Sequence, residues 1–134
     1  MRVFVTGSAG LIGSELVADF DEHASSVIGI DSDMRADFFG QEGSTRWNLR
    51  RLRETTRHYR HHELDVRGRA GLAALFRDED PFDLIIHCAA QPSHDLAASR
   101  AFDDFDVNTG GTMNLLETTR HASPHSARAS SPRT

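Results

Sequence analysis

The chain has 134 residues, 20 acidic against 15 basic, a formal net charge of −5 and 38% hydrophobic residues. That size suits one lean domain, and the negative balance argues against nucleic acid or an anionic membrane as partner. No apolar run approaches membrane-spanning length, no secretory leader opens the chain, and the lone Cys88 excludes internal disulfides, so a cytoplasmic protein is expected.

Arg2–Thr6 is a short apolar run with two valines, bounded by glycine, and reads as a buried strand. Gly7-Ser8-Ala9-Gly10-Leu11-Ile12-Gly13 follows and passes into an amphipathic helix from Ser14. A second apolar run, Val27–Ile30, ends on Asp31. Strand, glycine turn, helix, strand and acid together form a dinucleotide-binding fingerprint, a context that outweighs the alternative of a glycine turn with no ligand. Gly7 permits the tight turn, Gly10 lets a pyrophosphate approach the backbone, and Gly13 lets the helix pack closely. The free N–H groups of the helix's first turn face the phosphates with the positive end of the helix dipole, and Leu11 and Ile12 join the three glycines as cofactor-binding candidates. Asp31 is placed to accept from the adenosine ribose hydroxyls, and its charge repels a 2′-phosphate, which favours NAD over NADP.

Ser32 to Gly40 reads as a loop leaving the second strand, with Ser32 at the nucleotide. Arg35 either stacks near the adenine or is simply solvated. Ser44 reads as the N-cap of a polar helix over residues 45–54, whose apolar stripe, Trp47, Leu49 and Leu52, is too sparse for a deep core helix. The arginines between Arg46 and Arg57 read as a solvated face rather than a phosphate site.

Tyr59–Val66 is the expected third strand, and Asp65 and Val66, leaving it, are placed beside the adenine. His58, His61 and His62 do not make a metal site, because no cysteine or acid stands at ligand spacing and alternate strand residues face opposite ways. Residues 68–78 read as a helix through Leu72, Leu75 and Phe76, stopped by Pro81. Asp83–Cys88 is a continuous buried strand, with Cys88 as a small buried thiol. Ala89, Ala90 and Gln91 then let a cofactor lie against the backbone.

Pro92–Asp95 reads as a loop before a long helix, residues 100–121, contacting the core through Phe102, Phe105, Leu115 and Leu116. Gly110 and Gly111 inside it cost about 1 kcal/mol each against alanine and imply close packing against the sheet or cofactor. Residues 122–134 lack branched aliphatic and aromatic side chains and are expected to form a disordered tail. The predicted architecture is therefore α/β over residues 1–121: the N-terminal half of a Rossmann fold, with a parallel sheet in the order 3-2-1-4.

Gly7, Gly10, Gly13, Asp31, the Asp65-Val66 pair, His87-Cys88-Ala89-Ala90 and the Val107–Glu117 stretch together resemble the extended short-chain dehydrogenases/reductases of the NAD-dependent epimerase/dehydratase type. Within that family, Asp33-Met34-Arg35 with Phe38-Phe39-Gly40, Tyr59-Arg60-His61-His62 and Ala89–Asp95 resemble the CDP-paratose 2-epimerases. The resemblance implies tightly held NAD that takes a hydride from a sugar carbon and returns it to the other face. It also implies that Asn108 matches a helix asparagine that organises the site. A Tyr-x-x-x-Lys pair does the proton chemistry in this family, aided by a serine or threonine.

All fifteen basic residues here are arginine, and Tyr59 is the single tyrosine, so no such pair exists in these residues and no catalytic residue is assigned. The expectation is an NAD-binding portion cut short before the catalytic and sugar-binding regions, with a frameshift near Arg120 as one origin, and inactive alone. A CDP-sugar would be a partner only of a full-length parent. A free-standing NAD-binding or redox-sensing module, and a structural partner completing its sheet with another chain, are the alternatives. The fourth strand, expected to lack a fifth beside it, is a candidate for self-association.

Overall fold

The computed structural model describes residues 1–122. Four parallel strands, β1 (Arg2–Thr6), β2 (Ser26–Asp31), β3 (Tyr59–Glu63) and β4 (Leu84–His87), form one sheet in the order β3-β2-β1-β4, the order expected of a Rossmann half. Phe4 stands beside Ile28 on one side and Ile85 on the other. Because side chains alternate along each strand, the two faces carry separate cores. Phe4, Ile28 and Ile30 pack with Leu72, Leu75 and Phe76 of α4 (Arg69–Asp78) and Leu115 of α7 (Gly111–Ala122). Val3, Val5 and Val27 pack on the other face with Val17 of α1 (Leu11–Asp21) and Leu52 of α3 (Arg46–Thr55). The Phe4, Phe76 and Phe82 rings lock the first core, with centroids 5.0–5.1 Å apart.

Several local expectations are corrected. The residues after Asp31 are not a plain loop: α2 spans Met34–Phe39 and a single 3₁₀ turn spans Gln41–Gly43. Thr45, not Ser44, precedes the first turn of α3; the Ser44 hydroxyl donates to Asp33 at 2.8 Å while its oxygen accepts the Arg46 N–H at 3.3 Å from one position outside the cap. Leu49 and Leu52 are buried, Leu52 within the second core, which is deeper than so sparse a stripe suggests, while Trp47 is 61% exposed. The third strand stops at Glu63, and Asp65 and Val66 lie beyond it.

The long helix is broken. α5 (His94–Ser99) starts inside the expected loop, with the Ser93 hydroxyl accepting from the Leu96 N–H as an N-cap. α6 (Ala101–Phe105) follows, then a π-helical turn, Asp106–Gly110, and α7. The wider π turn displaces the helix face, so Val107 and Leu115 are buried while Phe102, Phe105 and Leu116 face outward, Phe102 by 87%. Only Gly111 of the glycine pair is packed tightly: a Cβ there would stand 2.7 Å from Val66 Cγ2, whereas one on Gly110 would meet nothing closer than 3.8 Å. Ala122 closes α7, and the rest of the expected tail lies outside the described residues.

Candidate dinucleotide cleft

The C-terminal ends of β1, β2 and β4 converge on a cleft of about 300 Å³. Its floor is the glycine turn. Gly7 has φ +64°, a left-handed conformation that suits glycine, and a Cβ there would meet the Cys88–Ala89 backbone at 2.8–2.9 Å. Gly13 serves a closer contact than helix against strand: a Cβ would stand 2.0 Å from the Gly7 carbonyl oxygen, so the helix is seated on the turn itself. Helix α1 begins at Leu11, three residues earlier than the sequence pattern suggests, with Gly10 before its first turn. No side chain caps that end and no acid stands in the first turn, so its N–H groups and positive dipole are presented to the cleft at Leu11, Ile12 and Gly13.

Asp31 ends β2 on the opposite wall. One carboxylate oxygen accepts the Ala9 N–H at 3.2 Å, and the other accepts the Asp33 N–H at 2.8 Å and shares the Thr45 hydroxyl, 3.4 Å away, with Asp33 at 3.2 Å. The carboxylate is thereby fixed in orientation while still lining the cleft with Ser32 and Arg35. Asp33 is the one described non-glycine residue with positive φ (56°), and it anchors this loop by accepting the Thr45 N–H at 2.7 Å and the Ser44 hydroxyl. Burial pushes its pKa up, but the bonds from Thr45 and Ser44 and the nearby Arg46 outweigh that and hold the carboxyl below the usual range. The Arg35 guanidinium lies over the Phe39 ring at 5.1 Å while Arg35 also lines the cleft.

The third wall follows β4. Thr6 Oγ1 accepts both the Cys88 and Ala89 N–H groups, at 3.1 and 3.2 Å, so its own proton goes to His87 Nδ1 at 2.6 Å. His87 Nε2–H then donates to Thr112 Oγ1 at 3.1 Å. Burial lowers the His87 pKa, in keeping with this neutral tautomer. Cys88 is half-buried and lines the cleft, and burial raises its pKa, which keeps it a thiol.

Of the residues singled out in the sequence, Gly7, Gly10, Leu11, Ile12, Gly13, Asp31, Ser32, Arg35, Val66, Ala89 and Ala90 line this one cleft. Asp65, Gln91 and Asn108 do not. Asp65 is turned to Arg67, whose guanidinium donates to both its oxygens. Gln91 is buried, and Asn108 holds its backbone from the π turn, so both shape the wall from behind. Ile30, Met34, Thr45, Leu64 and Pro92 complete the lining. Nothing in their spacing announced it, since Thr45 arrives only because the chain turns back at Asp33. Among the described residues no group of three or more His, Cys, Asp or Glu side chains is placed to hold a metal, and no helix is long and apolar enough to cross a membrane.

A parallel 3-2-1-4 sheet with an uncapped helix above a glycine turn, facing a fixed acid at the end of β2, defines a dinucleotide-binding α/β domain. Its family follows from sequence: the chain belongs to the NAD dependent epimerase/dehydratase family, whose pattern matches residues 3–132. Mouse UDP-glucose 4-epimerase is 35% identical over 120 residues, covering 89% of this chain and 34% of the mouse protein. A probable dTDP-glucose 4,6-dehydratase of Sinorhizobium fredii is 34% identical over 122 residues, 90% of this chain and 32% of that one. Among solved structures, UDP-glucose-4-epimerase from Stenotrophomonas maltophila, with bound NAD and formylated UDP-arabinopyranose, is similar with a TM-score of 0.74 and 28% identity, over 91% of this chain and 34% of that one. The chain thus spans about a third of the length of these relatives.

Proposed function

We propose that these residues are the NAD-binding portion of a nucleotide-sugar epimerase. The observation that carries the reading is the uncapped first turn of α1 set across one cleft from the fixed Asp31 carboxylate. The N–H groups of Leu11, Ile12 and Gly13 receive the pyrophosphate, and Gly10 leaves room for it. Asp31, with Ser32 beside it, accepts from the adenosine ribose, and Val66 and Arg35 flank the adenine. Ala89 and Ala90 offer a small-residue wall to the remainder of the dinucleotide, with Gln91 and Asn108 supporting that wall; Asp65 acts on the adenine end only through its loop. NAD, when bound, supplies a hydride acceptor and donor.

The substrate class is a nucleoside diphosphate sugar. The Ala89–Asp95 string, with its CDP-paratose 2-epimerase resemblance, favours a CDP-sugar over the UDP-sugars named for the relatives. The 134 residues by themselves perform no turnover. They contain no lysine, and the single tyrosine is the opposite of a general base: burial pushes the Tyr59 pKa up to about 12. β4 pairs only with β1 among the described residues, and its outer edge is where isolated chains associate.

Calorimetry tests the reading. NAD binds the unmodified chain and fails to bind Gly10→Val, whose side chain fills the pyrophosphate seat. Absence of NAD binding to the folded chain refutes it, and measurable epimerisation of a CDP- or UDP-sugar by these 134 residues refutes their inactivity.

A further inference from the structure

Behind the glycine turn runs a polar chain, buried at Ser8 and open to solvent at Glu63, that NAD binding itself does not use. Ser8, the second residue of the turn, is wholly buried, and its Oγ lies 2.9 Å from the Tyr59 hydroxyl. That hydroxyl lies 3.1 Å from His61 Nδ1, and His61 Nε2 lies 3.3 Å from a Glu63 oxygen. Arg46 holds Glu63 in turn, at 2.7 Å. The chain exists because residue 29 is glycine: a Cβ there would stand 2.5 Å from Ser8 and 2.6 Å from the Tyr59 ring.

Chemistry sets the direction of every bond. A carboxylate only accepts, so His61 carries its proton on Nε2 and leaves Nδ1 as an acceptor. Tyr59 therefore donates to Nδ1, and Ser8 donates to Tyr59. Among the described residues the Ser8 hydroxyl has no other hydrogen-bond partner. The Ser8 N–H meanwhile donates to the Ile30 carbonyl at 3.1 Å, so the turn is tied to β2 by its backbone and to β3 by this side chain.

We propose that Tyr59 is a positioning residue for the glycine turn, holding Ser8–Gly10 in the conformation that receives the pyrophosphate for as long as His61 accepts its proton. The proposal rests on the cleft being an NAD site. Protonated His61 would donate from Nδ1 to Tyr59, Tyr59 would donate to Ser8, and the Ser8 proton would be left buried without an acceptor. Burial disfavours that state; Glu63 on β3 and Asp31 on β2 favour it, and Arg53 on α3 opposes it, with Arg46 offsetting Glu63. Burial prevails, and the His61 pKa lies below its ordinary 6.5. Dinucleotide affinity should accordingly fall on the acid side of that value.

The test compares the unmodified chain with Tyr59→Phe, Ser8→Ala and His61→Asn, reading NAD affinity by calorimetry from about pH 5 to pH 8 and ligand-free amide exchange of Ser8, Ala9 and Gly10. Tyr59→Phe should weaken NAD by about three- to tenfold at neutral pH, the worth of one hydrogen bond, and speed exchange in the turn. Ser8→Ala breaks the same bond from the other end and should reproduce both effects, which covers a Tyr59→Phe chain that does not fold. His61→Asn keeps an acceptor near Nδ1 that cannot charge, and should flatten the acid limb. Wild-type affinity and pH profile in Tyr59→Phe, or an acid limb intact in His61→Asn, overturns the proposal. If the unmodified chain binds no NAD at any pH, the cofactor reading fails separately; turn exchange then decides, and exchange unchanged in both Tyr59→Phe and Ser8→Ala overturns the positioning role.

Discussion

Asn108 grips the backbone of Gln91 by both its polar groups: the Gln91 N–H donates to Oδ1 at 2.9 Å, and Nδ2 donates to the Gln91 carbonyl at 3.0 Å. Asn108 sits in the π turn and Gln91 just beyond β4, so this pair ties the irregular turn to the third wall of the cleft. Thr112 links the same turn to His87, and through it to Thr6 and the Cys88–Ala89 amides.

Asn108→Ala should leave the Gln91 backbone unpaired and cost roughly 1–3 kcal/mol, the range for orphaning a buried polar group. Urea denaturation reads the loss of stability, and calorimetry should show NAD affinity falling with it as the Ala89–Ala90 wall loosens. Unchanged values for both would mean that the wall holds its shape without this clamp.

The glycines divide by what a Cβ would meet. Gly13→Ala places a methyl 2.0 Å from a carbonyl oxygen that cannot move away, and should cost upward of about 1–3 kcal/mol and abolish NAD binding. Gly110→Ala meets nothing closer than 3.8 Å, and should be neutral or stabilise by about 0.5–1 kcal/mol. Thermal unfolding of the two variants side by side checks the contrast.

Asp31→Ala should weaken NAD by about 1.5–3 kcal/mol, the worth of a charge-assisted hydrogen bond, and narrow the gap between NAD and NADP. The Ala9 N–H would also lose its acceptor, so part of the loss is in the turn. Competition between the two cofactors, measured by calorimetry, separates these effects: a loss confined to the turn would weaken both equally.

Glu79 gives the fold an acid limb. Its side chain, 10% exposed, accepts from Arg2 at 2.6 Å and from the half-exposed Arg60 at 2.9 Å. Burial raises its pKa, and the two arginines more than reverse that, leaving it below the ordinary 4.5. A carboxyl whose folded pKa is depressed contributes stability that is present above the unfolded value and lost as pH falls through the folded one. Glu79→Gln should therefore destabilise the chain at neutral pH, by roughly 1.5–3 kcal/mol, and make less difference as pH drops well below 4.5. Urea midpoints across that range measure it.

The sequence by itself determined the strands, their order and the glycine turn with its acid, because these are written in local runs and periods. Val3–Val5, Val27–Ile30 and Leu84–Ile86 are apolar runs of strand length, and the glycine fingerprint after the first of them points to the Rossmann order, the crossover rule adding only the handedness. Asp31 was legible as the end of an apolar run.

Only the tertiary structure decided which residues stand where the elements meet. Ser44 reads as the cap, but Asp33 binds both the Ser44 hydroxyl and the Thr45 N–H, eleven and twelve positions away, and the helix starts one residue later. Phe102 and Phe105 read as core until a π turn rotates them outward. Asn108 meets Gln91 across 17 positions, and Ser8 meets Tyr59 across 51. A hydrogen bond needs its two atoms within about 3 Å and properly aimed. For residues so far apart that condition is met by the packing of whole helices and strands, a property of the folded core that no local pattern of residues carries.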